Sequence, residues 1–328
     1  MKKLYYIGIT LLALASCSKP NSQESLTNYV DPLIGSGGHG HVFVGASVPF
    51  GMVQLGPTSI NQTWDWCSGY HQDEASVIGF SHTHLSGTGI GDLFDVTVMP
   101  VTGEVTYARG TIEEPESGLW SMADRTQEIA EVGYYTVPLT RYGIKAEMTA
   151  TARVGMHRYT FPKADDAAIV IDLQNGGCWD SPTKAYINKV DDKTIEGYRY
   201  SSGWANDQRV FFVAEFSQPI TSMDVMVDRG EAVADKGEGK IVYARANVDA
   251  KEPVYVKVAL SPTSIENAKL NMQTELPGWD FEGTIHAADQ AWEKALAKVE
   301  MESSCEKTKK IFYTALYHTM IAPSEFCD

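Results

Sequence analysis

The amino-acid sequence predicts a mainly β protein, a large antiparallel β-sandwich followed by α-helices. The first observation is a series of short apolar runs between residues 92 and 260, separated from one another by Gly, Pro, Asn or Asp. No helical pattern intervenes, which favours antiparallel strands packed in two layers. The second observation is a change to helical apolar spacing after residue 260, which places the helices at the C-terminal end.

Eight of these runs are predicted as strands. The run over 144–151 alternates apolar and polar residues, which is the period of a strand with one buried face. The run over 167–173 is almost continuously apolar, as in a strand at the centre of a sheet. The predicted strands span 92–99, 133–139, 144–151, 156–161, 167–173, 209–216, 240–247 and 254–260.

Three helices are predicted near the C-terminus. A short one covers 265–272, and a second begins near Thr284 and carries apolar residues at helical spacing as far as Val299. A third carries an apolar face from Ile311 to Met320, and Pro323 ends it. The last two are amphipathic and need a partner surface, so we expect their apolar faces to be exposed in this chain.

The composition indicates a globular chain with an acidic surface. Of the 328 residues, 43% are hydrophobic and 10% are aromatic, which is enough for a large buried core. There are 42 Asp and Glu residues against 27 Lys and Arg, a formal net charge of −15. Such a surface repels phosphate backbones, so no nucleic acid is expected as a partner.

The first residues have the pattern of a bacterial lipoprotein signal. Lys2 and Lys3 precede an apolar run over 4–15 that is too short to cross a bilayer, and Leu-Ala-Ser-Cys follows at 14–17. This lipobox pattern implies cleavage before Cys17 and a lipid on its sulfur. We therefore predict a lipoprotein signal peptide over 1–17, a polar tether over 18–28 and lipid-anchored attachment to the membrane of the bacterial cell envelope. The alternatives are an ordinary secretory signal or a small apolar helix.

The other four cysteines are expected to be free and buried. An exported chain could form disulfides, but nothing in the sequence pairs these residues. Their spacing matches no Cys-x-x-Cys metal motif. They are Cys67, Cys178, Cys305 and Cys327.

The stretch from 35 to 95 has the composition of one wall of a binding site. It holds five of the chain's eight histidines, two of its seven tryptophans and many glycines. Glycine lets the backbone approach a ligand, while imidazole and indole rings offer hydrogen bonds and an apolar platform. The alternative is a series of turns with tryptophans in the core. The candidate substrate-binding residues are His39, His41, Trp64, Asp65, Trp66, His82 and His84.

Two spacings in this stretch suggest more specific roles. Trp64 and Trp66 would face the same way in extended backbone, and one of them could stack on a ligand ring. The His-x-His pairs at 39–41 and 82–84 could each chelate zinc. The lack of a cysteine ligand at a known spacing, and the Ser, Thr and Gly around both pairs, favour hydrogen-bonded loop scaffolding. The sequence therefore assigns no metal ligand.

Two further loops, 174–180 and 201–204, each place a tryptophan among Gly or Ser residues. These loops could line the same cleft or cap the ends of sheets. We favour the second interpretation.

The histidine-rich stretch resembles the N-terminal region of the glycoside hydrolase family 92 α-mannosidases. The resemblance rests on Gly-Gly-His-Gly-His at 37–41, Pro-Phe-Gly-Met-Val-Gln-Leu at 49–55, Ser-Gly-Tyr-His at 68–71 and Gly-Phe-Ser-His-Thr-His-Leu-Ser-Gly-Thr-Gly at 79–89. Tyr-Thr-Ala-Leu-Tyr-His-Thr at 313–319 resembles the opening helix of the family's (α/α)6 barrel. The resemblance implies a β-sandwich domain over 29–280, then a helical linker and the start of a truncated (α/α)6 catalytic domain over 281–328.

For function, the resemblance implies the N-terminal part of a calcium-dependent, inverting exo-α-mannosidase of α-1,2 specificity that acts on mannose-containing glycans. Inversion needs a carboxylic acid and a carboxylate roughly 6.5–9.5 Å apart. The family's pair lies in the barrel and no residue here matches it, so we expect this chain to be inactive without the missing barrel. The sequence assigns no calcium ligands. The acids near the motifs are expected to orient ligand hydroxyls or cap turns: Asp65, Asp73, Glu74, Asp92 and Asp95. The alternative function is that of a non-catalytic carbohydrate-binding or scaffold β-sandwich lipoprotein.

Overall fold

Two antiparallel sheets packed face to face form the body of the protein in a computed structural model. The structure describes residues 24–60, 63–114, 116–163 and 166–328. The predicted signal peptide over 1–17, its lipidation site Cys17 and the tether as far as residue 23 lie outside the described residues. The predicted sandwich is confirmed, and every strand pairing within its sheets is antiparallel.

The first sheet has seven strands. Strands are numbered in chain order over the described residues. In spatial order the sheet consists of β1 (Gly56–Thr58), β3 (Gly79–Ser81), β4 (Thr97–Thr102), β10 (Ala167–Asp172), β17 (Val242–Val248), β14 (Ile220–Val227) and β15 (Ala232–Ala234).

The second sheet has nine strands, and a separate pair of short strands lies outside both sheets. In spatial order the nine are β16 (Lys236–Gly239), β11 (Ser181–Lys189), β12 (Thr194–Ser202), β13 (Gln208–Phe216), β18 (Val254–Ser261), β9 (Val154–Thr160), β8 (Ile144–Ala150), β7 (Tyr134–Leu139) and β6 (Ile129–Glu131). The separate pair is β2 (Ser76–Val77) and β5 (Ser121–Met122).

The main hydrophobic core lies between the two large sheets. The strand predicted over 144–151 is confirmed as β8, whose Ile144, Ala146 and Met148 are fully buried in this core. The expectation of a single buried face is wrong, because Glu147 and Thr149 on the other face are buried too. The predicted central strand is also confirmed. All six residues of β10 are buried, and the strand lies between β4 and β17. Burial of apolar surface on this scale is the main term that stabilises the sandwich.

The strand predicted over 92–99 is wrong in its first half. Leu93, Phe94 and Val96 adopt left-handed backbone, with φ of 70°, 66° and 51°, so the segment cannot extend before β4. β4 then continues through Pro100. Its neighbour β3 pairs with it only at Val98, so no sheet partner on that side requires a backbone N–H from the proline.

The three helices are α1 (Ile265–Glu275), α2 (Phe281–Leu296) and α3 (Glu306–His318). The side chain of Ser264 accepts a hydrogen bond from Asn267 N and caps α1. Ala268 and Met272 of α1 pack on the outer face of the nine-stranded sheet, against Met156 of β9. In the part of the chain that the structure describes, no helix combines the length and apolar character needed to span a bilayer.

The expectation that the last two helices lack a partner surface is wrong for α2 and holds for part of α3. Trp292 of α2 is fully buried and its Nε1 donates to Ser47 O at 2.7 Å. It packs with Tyr317 of α3 and with Phe43 and Tyr29 from the N-terminal loops, which together form a second core. The sandwich's own loops therefore cover the apolar face of α2. On the face predicted for α3, Ile311 stays 53% exposed and Phe312 and Leu316 are half-buried, because the helix buries Tyr313 and Tyr317 instead.

The predicted tether is also shorter than expected at its described end. Residues 26–29 form a turn of 3-10 helix that contacts α2 and α3. The carboxylate of Glu293 accepts hydrogen bonds from Ser25 Oγ at 2.6 Å and from Thr27 N at 3.2 Å. This segment is therefore part of the fold.

The four described cysteines are free, as predicted, but only Cys67 is fully buried. Cys178 is half-buried, and Cys305 and Cys327 are exposed. Cys305 directly precedes α3, and Cys327 lies in the last residues of the given sequence. The exposure of these two thiols was not evident from the sequence.

Candidate functional site

The candidate site is a surface cluster of His39, His41, Trp64 and Asp65, called here the His–Trp cluster. A turn of 3-10 helix, Trp64–Trp66, supplies the tryptophan and the carboxylate. The glycine-rich loop over 35–41 supplies the two imidazoles. The histidine pair at 39–41 and the tryptophan pair at 64–66, both identified in the sequence, therefore meet in space.

The carboxylate of Asp65 lies at the centre of the cluster. His39 Nδ1 is 2.5 Å from Asp65 Oδ1, and His41 Nε2 is 3.6 Å from the same oxygen. The hydrogen bond from His39 holds the pKa of Asp65 below its ordinary value. Asp65 is therefore an ionised acceptor at neutral pH and is poorly suited to donate a proton to a leaving group.

The indole of Trp64 covers the two imidazoles and leaves half of its own surface exposed. Its ring centroid lies 5.1 Å from that of His39 and 4.4 Å from that of His41, and the residue is 50% exposed. Trp64 Nε1 donates to Gly89 O at 2.9 Å. A Cβ at Gly89 would lie 2.7 Å from Trp64 Nε1, so glycine is required for this close approach. The indole is thus fixed by its polar edge and open on its surface.

Trp66 does not share this orientation, which corrects the prediction that the two tryptophans face the same way. The prediction assumed extended backbone, whereas Trp64–Trp66 is helical. Trp66 is half-buried and stacks on His71, with the ring centroids 4.3 Å apart. Of the two indoles, Trp64 is the one placed to receive a ligand.

The second histidine pair is not on the surface. His82 is 0% exposed and His84 is 3% exposed. The geometry therefore does not place these two imidazoles where a ligand could touch them, in contrast to the prediction that all the histidines line one wall. Their Nδ1 atoms donate to different backbone carbonyls, Val96 O at 2.6 Å and Gln54 O at 2.7 Å, and neither residue belongs to the metal-ligand cluster found among the described residues.

These contacts fix the tautomers of the buried imidazoles. Because His82 Nδ1 donates to a carbonyl, its Nε2 accepts from His157 Nε2 at 3.0 Å, and His157 Nδ1 accepts from Tyr159 OH at 2.8 Å. Burial lowers the pKa of His82 to about 4 and that of His84 to about 3. The interpretation as hydrogen-bonded scaffolding applies to this pair.

Two more exposed tryptophans border the loop over 86–92, which also holds the carbonyl that accepts from Trp64. Trp179 N donates to Gly91 O at 2.9 Å, and Trp204 N donates to Asp92 Oδ2 at 3.1 Å. Trp179 is 54% exposed and Trp204 is 65% exposed. Tryptophan in a Gly- or Ser-rich loop was visible in the sequence, but the common attachment of both loops to Gly91 and Asp92 was not.

The other acids near the motifs are mostly occupied by structural contacts. Asp95 is fully buried, with Oδ1 2.6 Å from Arg199 Nη1 and Oδ2 accepting from Thr83 Oγ1 at 2.8 Å. Glu74 Oε1 accepts from Ser76 N at 2.7 Å. The contact of Glu74 fits the prediction that such acids cap turns, whereas Asp95 is a buried ion-pair partner of Arg199, which the prediction did not include.

The described residues offer one side-chain cluster for a metal ion, and this cluster does not fit calcium. They contain one group of at least three metal-ligand side chains with ligand atoms within 4.8 Å of one another, namely His39, His41 and Asp65. Two imidazole nitrogens and one carboxylate are a poor match for a cation that takes six to eight oxygens. No step of a reaction is therefore assigned to calcium in this part of the chain.

Comparison with solved structures shows where this fold occurs. An α-mannosidase of family 92 from Bacteroides thetaiotaomicron is 38% identical, with a TM-score of 0.88, over 93% of this chain and 42% of that chain. Its complex with mannoimidazole aligns with a TM-score of 0.86 over 92% of this chain and 40% of that chain. This chain therefore spans less than half the length of that mannosidase.

A sequence relative gives the same proportion. An uncharacterized secreted glycosidase of the fungus Arthroderma benhamiae is 26% identical, over an alignment that covers 97% of this chain and 44% of the fungal protein.

Two family profiles cover most of the chain. The glycosyl hydrolase family 92 N-terminal domain matches residues 29–261, and the glycosyl hydrolase family 92 catalytic domain matches residues 267–328. The first match ends at the last strand of the sandwich, and the second begins in α1. The chain belongs to glycosyl hydrolase family 92 and carries its N-terminal domain with the start of its catalytic domain.

Proposed function

We propose that this chain supplies one wall of the substrate cleft of an inverting exo-α-mannosidase that removes α-1,2-linked terminal mannose from glycans. The observation that carries the proposal is the exposed indole of Trp64 beside the ionised carboxylate of Asp65 and the exposed imidazole of His39. A sugar ring needs an apolar platform under its C–H face and acceptors and donors at its hydroxyls. The 38%-identical relative, which is an α-mannosidase, has been solved with mannoimidazole bound.

The catalytic pair is proposed to come from outside this chain. Asp65 is held ionised by His39, and Asp95 is bonded to Arg199 in the interior, so neither suits the role of general acid. In the proposal, the His–Trp cluster binds and orients mannose while a barrel domain supplies the acid, the base and the calcium site. The alternative, a sandwich that only binds carbohydrate, uses the same cluster without that second domain.

The chain is further proposed to be a lipoprotein of the bacterial cell envelope, attached through Cys17. The Leu-Ala-Ser-Cys pattern at 14–17 supports this proposal. The fungal relative is described as secreted, which agrees with export.

The proposal is tested on the 328-residue chain with α-1,2-mannobiose. Saturation-transfer NMR should show contact between mannose protons and the protein, and this signal should disappear in Trp64→Ala. Trp279→Ala is the matched control. Trp279 is also partly exposed, its ring lies under the Lys257 ammonium, and it is far from the cluster in sequence. The signal should persist in this control. Absence of any saturation transfer from the unmodified chain to the disaccharide would overturn the binding-wall proposal.

The same sample tests the division of labour. With calcium present, the chain should release no mannose from the disaccharide. Release of mannose that depends on this chain would show that the catalytic pair lies within it, and the proposal of a separate catalytic domain would fail.

A further inference from the structure

The inference begins with an unpaired nitrogen. The side chain of His41 is 6% exposed, yet its Nε2 is buried without a hydrogen-bond partner. The nearest acceptor of the cluster, Asp65 Oδ1, is 3.6 Å away, which is too far for a hydrogen bond. Burying an imidazole nitrogen without a hydrogen-bond partner costs free energy. A ligand bound at His41 Nε2 would offset this cost.

The atoms around this nitrogen form a metal-ligand set. One ligand atom each from His39, His41 and Asp65 lies within 4.8 Å of the others. Asp65 Oδ1 is shared between the two imidazoles, at 2.5 Å from His39 Nδ1. Ligand atoms bound to one zinc ion are separated by roughly 3 Å, since each lies about 2.0–2.2 Å from the metal. The two distances to Asp65 Oδ1, 2.5 Å from His39 Nδ1 and 3.6 Å from His41 Nε2, lie on either side of that value.

The backbone holds His41 ready for such a role. Its φ is 53°, a left-handed conformation that a non-glycine residue adopts only when its surroundings enforce it. Its carbonyl oxygen accepts from Ser68 Oγ at 2.5 Å and from Gly87 N at 2.7 Å. The edge of the Trp64 ring packs on the imidazole. These contacts restrain the ligand before any ion binds.

We propose that His39, His41 and Asp65 bind one zinc-type divalent ion, with coordination positions left open on the exposed side of His39. Three protein ligands with imidazole nitrogen and carboxylate oxygen suit Zn²⁺ and similar first-row ions, and not Ca²⁺. The proposal does not depend on the proposed mannosidase function. It assigns this part of the chain a metal different from the calcium that the family resemblance implies.

The test uses the 328-residue chain after treatment with a chelator. Titration with Co²⁺ should give the visible absorption of a low-coordinate site at one equivalent, and Zn²⁺ should displace it. Zn²⁺ should also raise the melting temperature, because an ion that binds only the folded state stabilises it. Ca²⁺ at the same concentration should do neither.

Asp65→Asn and His39→Ala are the main variants, since both side chains reach the surface and their loss should leave the fold intact. Each should weaken Co²⁺ binding by about a hundredfold or more. His286→Ala is the matched control, because His286 is a surface histidine of α2 whose Nε2 is 2.8 Å from Gln290 Nε2. Unchanged Co²⁺ binding in both main variants, or no stoichiometric binding by the parent chain, would overturn the proposal. If the parent chain binds Co²⁺ but shows no contact with α-1,2-mannobiose, the proposed function fails and the metal-site proposal stands.

Discussion

Trp64 and Trp66 are separated by one residue but have different structural roles. Trp64 is exposed over the cluster, whereas Trp66 is half-buried against His71. Trp64→Ala should therefore leave the melting temperature nearly unchanged and remove roughly 1–3 kcal/mol of apolar contact with a sugar. In a complete enzyme that includes the barrel, this corresponds to about a tenfold or larger loss in kcat/KM on a mannobioside.

Trp66→Ala should show the opposite division. Its loss should lower the melting temperature and change kcat/KM per folded molecule little, because its ring packs against the protein. Thermal unfolding and kinetics on both variants check the pair. If Trp66→Ala reduced activity at an unchanged melting temperature, Trp66 and not Trp64 would be the stacking residue.

The buried imidazoles predict a pH dependence of stability. Burial holds the pKa of His82 at about 4 and of His84 at about 3, and also lowers that of His157. The pKa of histidine in the unfolded chain is about 6.5, so below this pH the unfolded chain binds protons at these imidazoles and the folded chain does not. The free energy of unfolding therefore decreases as pH falls from about 6.5 towards 4. Burial raises the pKa of the Asp172 and Asp180 carboxyls to about 6. These two groups therefore increase the free energy of unfolding as pH falls, which opposes the effect of the imidazoles.

Burial also lowers the pKa of His318, so four imidazoles against two carboxyls leave the folded chain binding fewer protons than the unfolded chain in this window. Urea unfolding at pH 7, 6 and 5 should show the free energy of unfolding decreasing. A constant or increasing value between pH 7 and 5 would contradict this assignment of neutral imidazoles.

At the scale of the elements, α2 is a structural part of the sandwich. Trp292 fills the second core and bonds Ser47 O. Trp292→Ala should therefore lower the free energy of unfolding by about 3–5 kcal/mol. Ile311→Ala on the exposed side of α3, where Ile311 is 53% exposed, should change it by less than about 0.5 kcal/mol. Chemical denaturation measures both. Equal, small effects would mean that the helices do not pack on the sandwich in solution.

The elements also show how far sequence patterns reach. β8 was predicted because each inward position carries an apolar side chain, Ile144 for example. β12 was not, because its buried positions include Gly197, Arg199 and Ser201 among polar neighbours. Arg199 is buried because Asp95 and Asp180, from distant parts of the chain, pair with it. A polar residue satisfied by long-range partners leaves no periodic signal.

The candidate site was partly predictable for the same reason. Residue type and spacing identified the His–Trp cluster, since His39, His41, Trp64 and Asp65 lie in two short motifs. The spacing could not separate this surface pair of histidines from the buried pair, because both have the form His-x-His. Burial of His82 and His84 depends on contacts with Val96, Gln54 and His157 that only the folded chain supplies.

At the scale of the whole molecule, the prediction concerns attachment to the membrane. Ser25 and Thr27, which lie close to the proposed lipidation site in sequence, bond Glu293 of α2. A fully extended chain spans at most about 3.6 Å per residue, so the seven residues between Cys17 and Ser25 can span no more than roughly 25 Å. The lipid would therefore hold the sandwich near the bilayer surface. Cys17→Ala should release the protein from the membrane fraction or leave it unprocessed, and labelled palmitate should no longer be incorporated. Cys305→Ala is the control, because Cys305 is an exposed free thiol elsewhere on the surface. A membrane pool that persists unchanged in Cys17→Ala would mean that another feature retains the protein, and the lipoprotein assignment would be wrong.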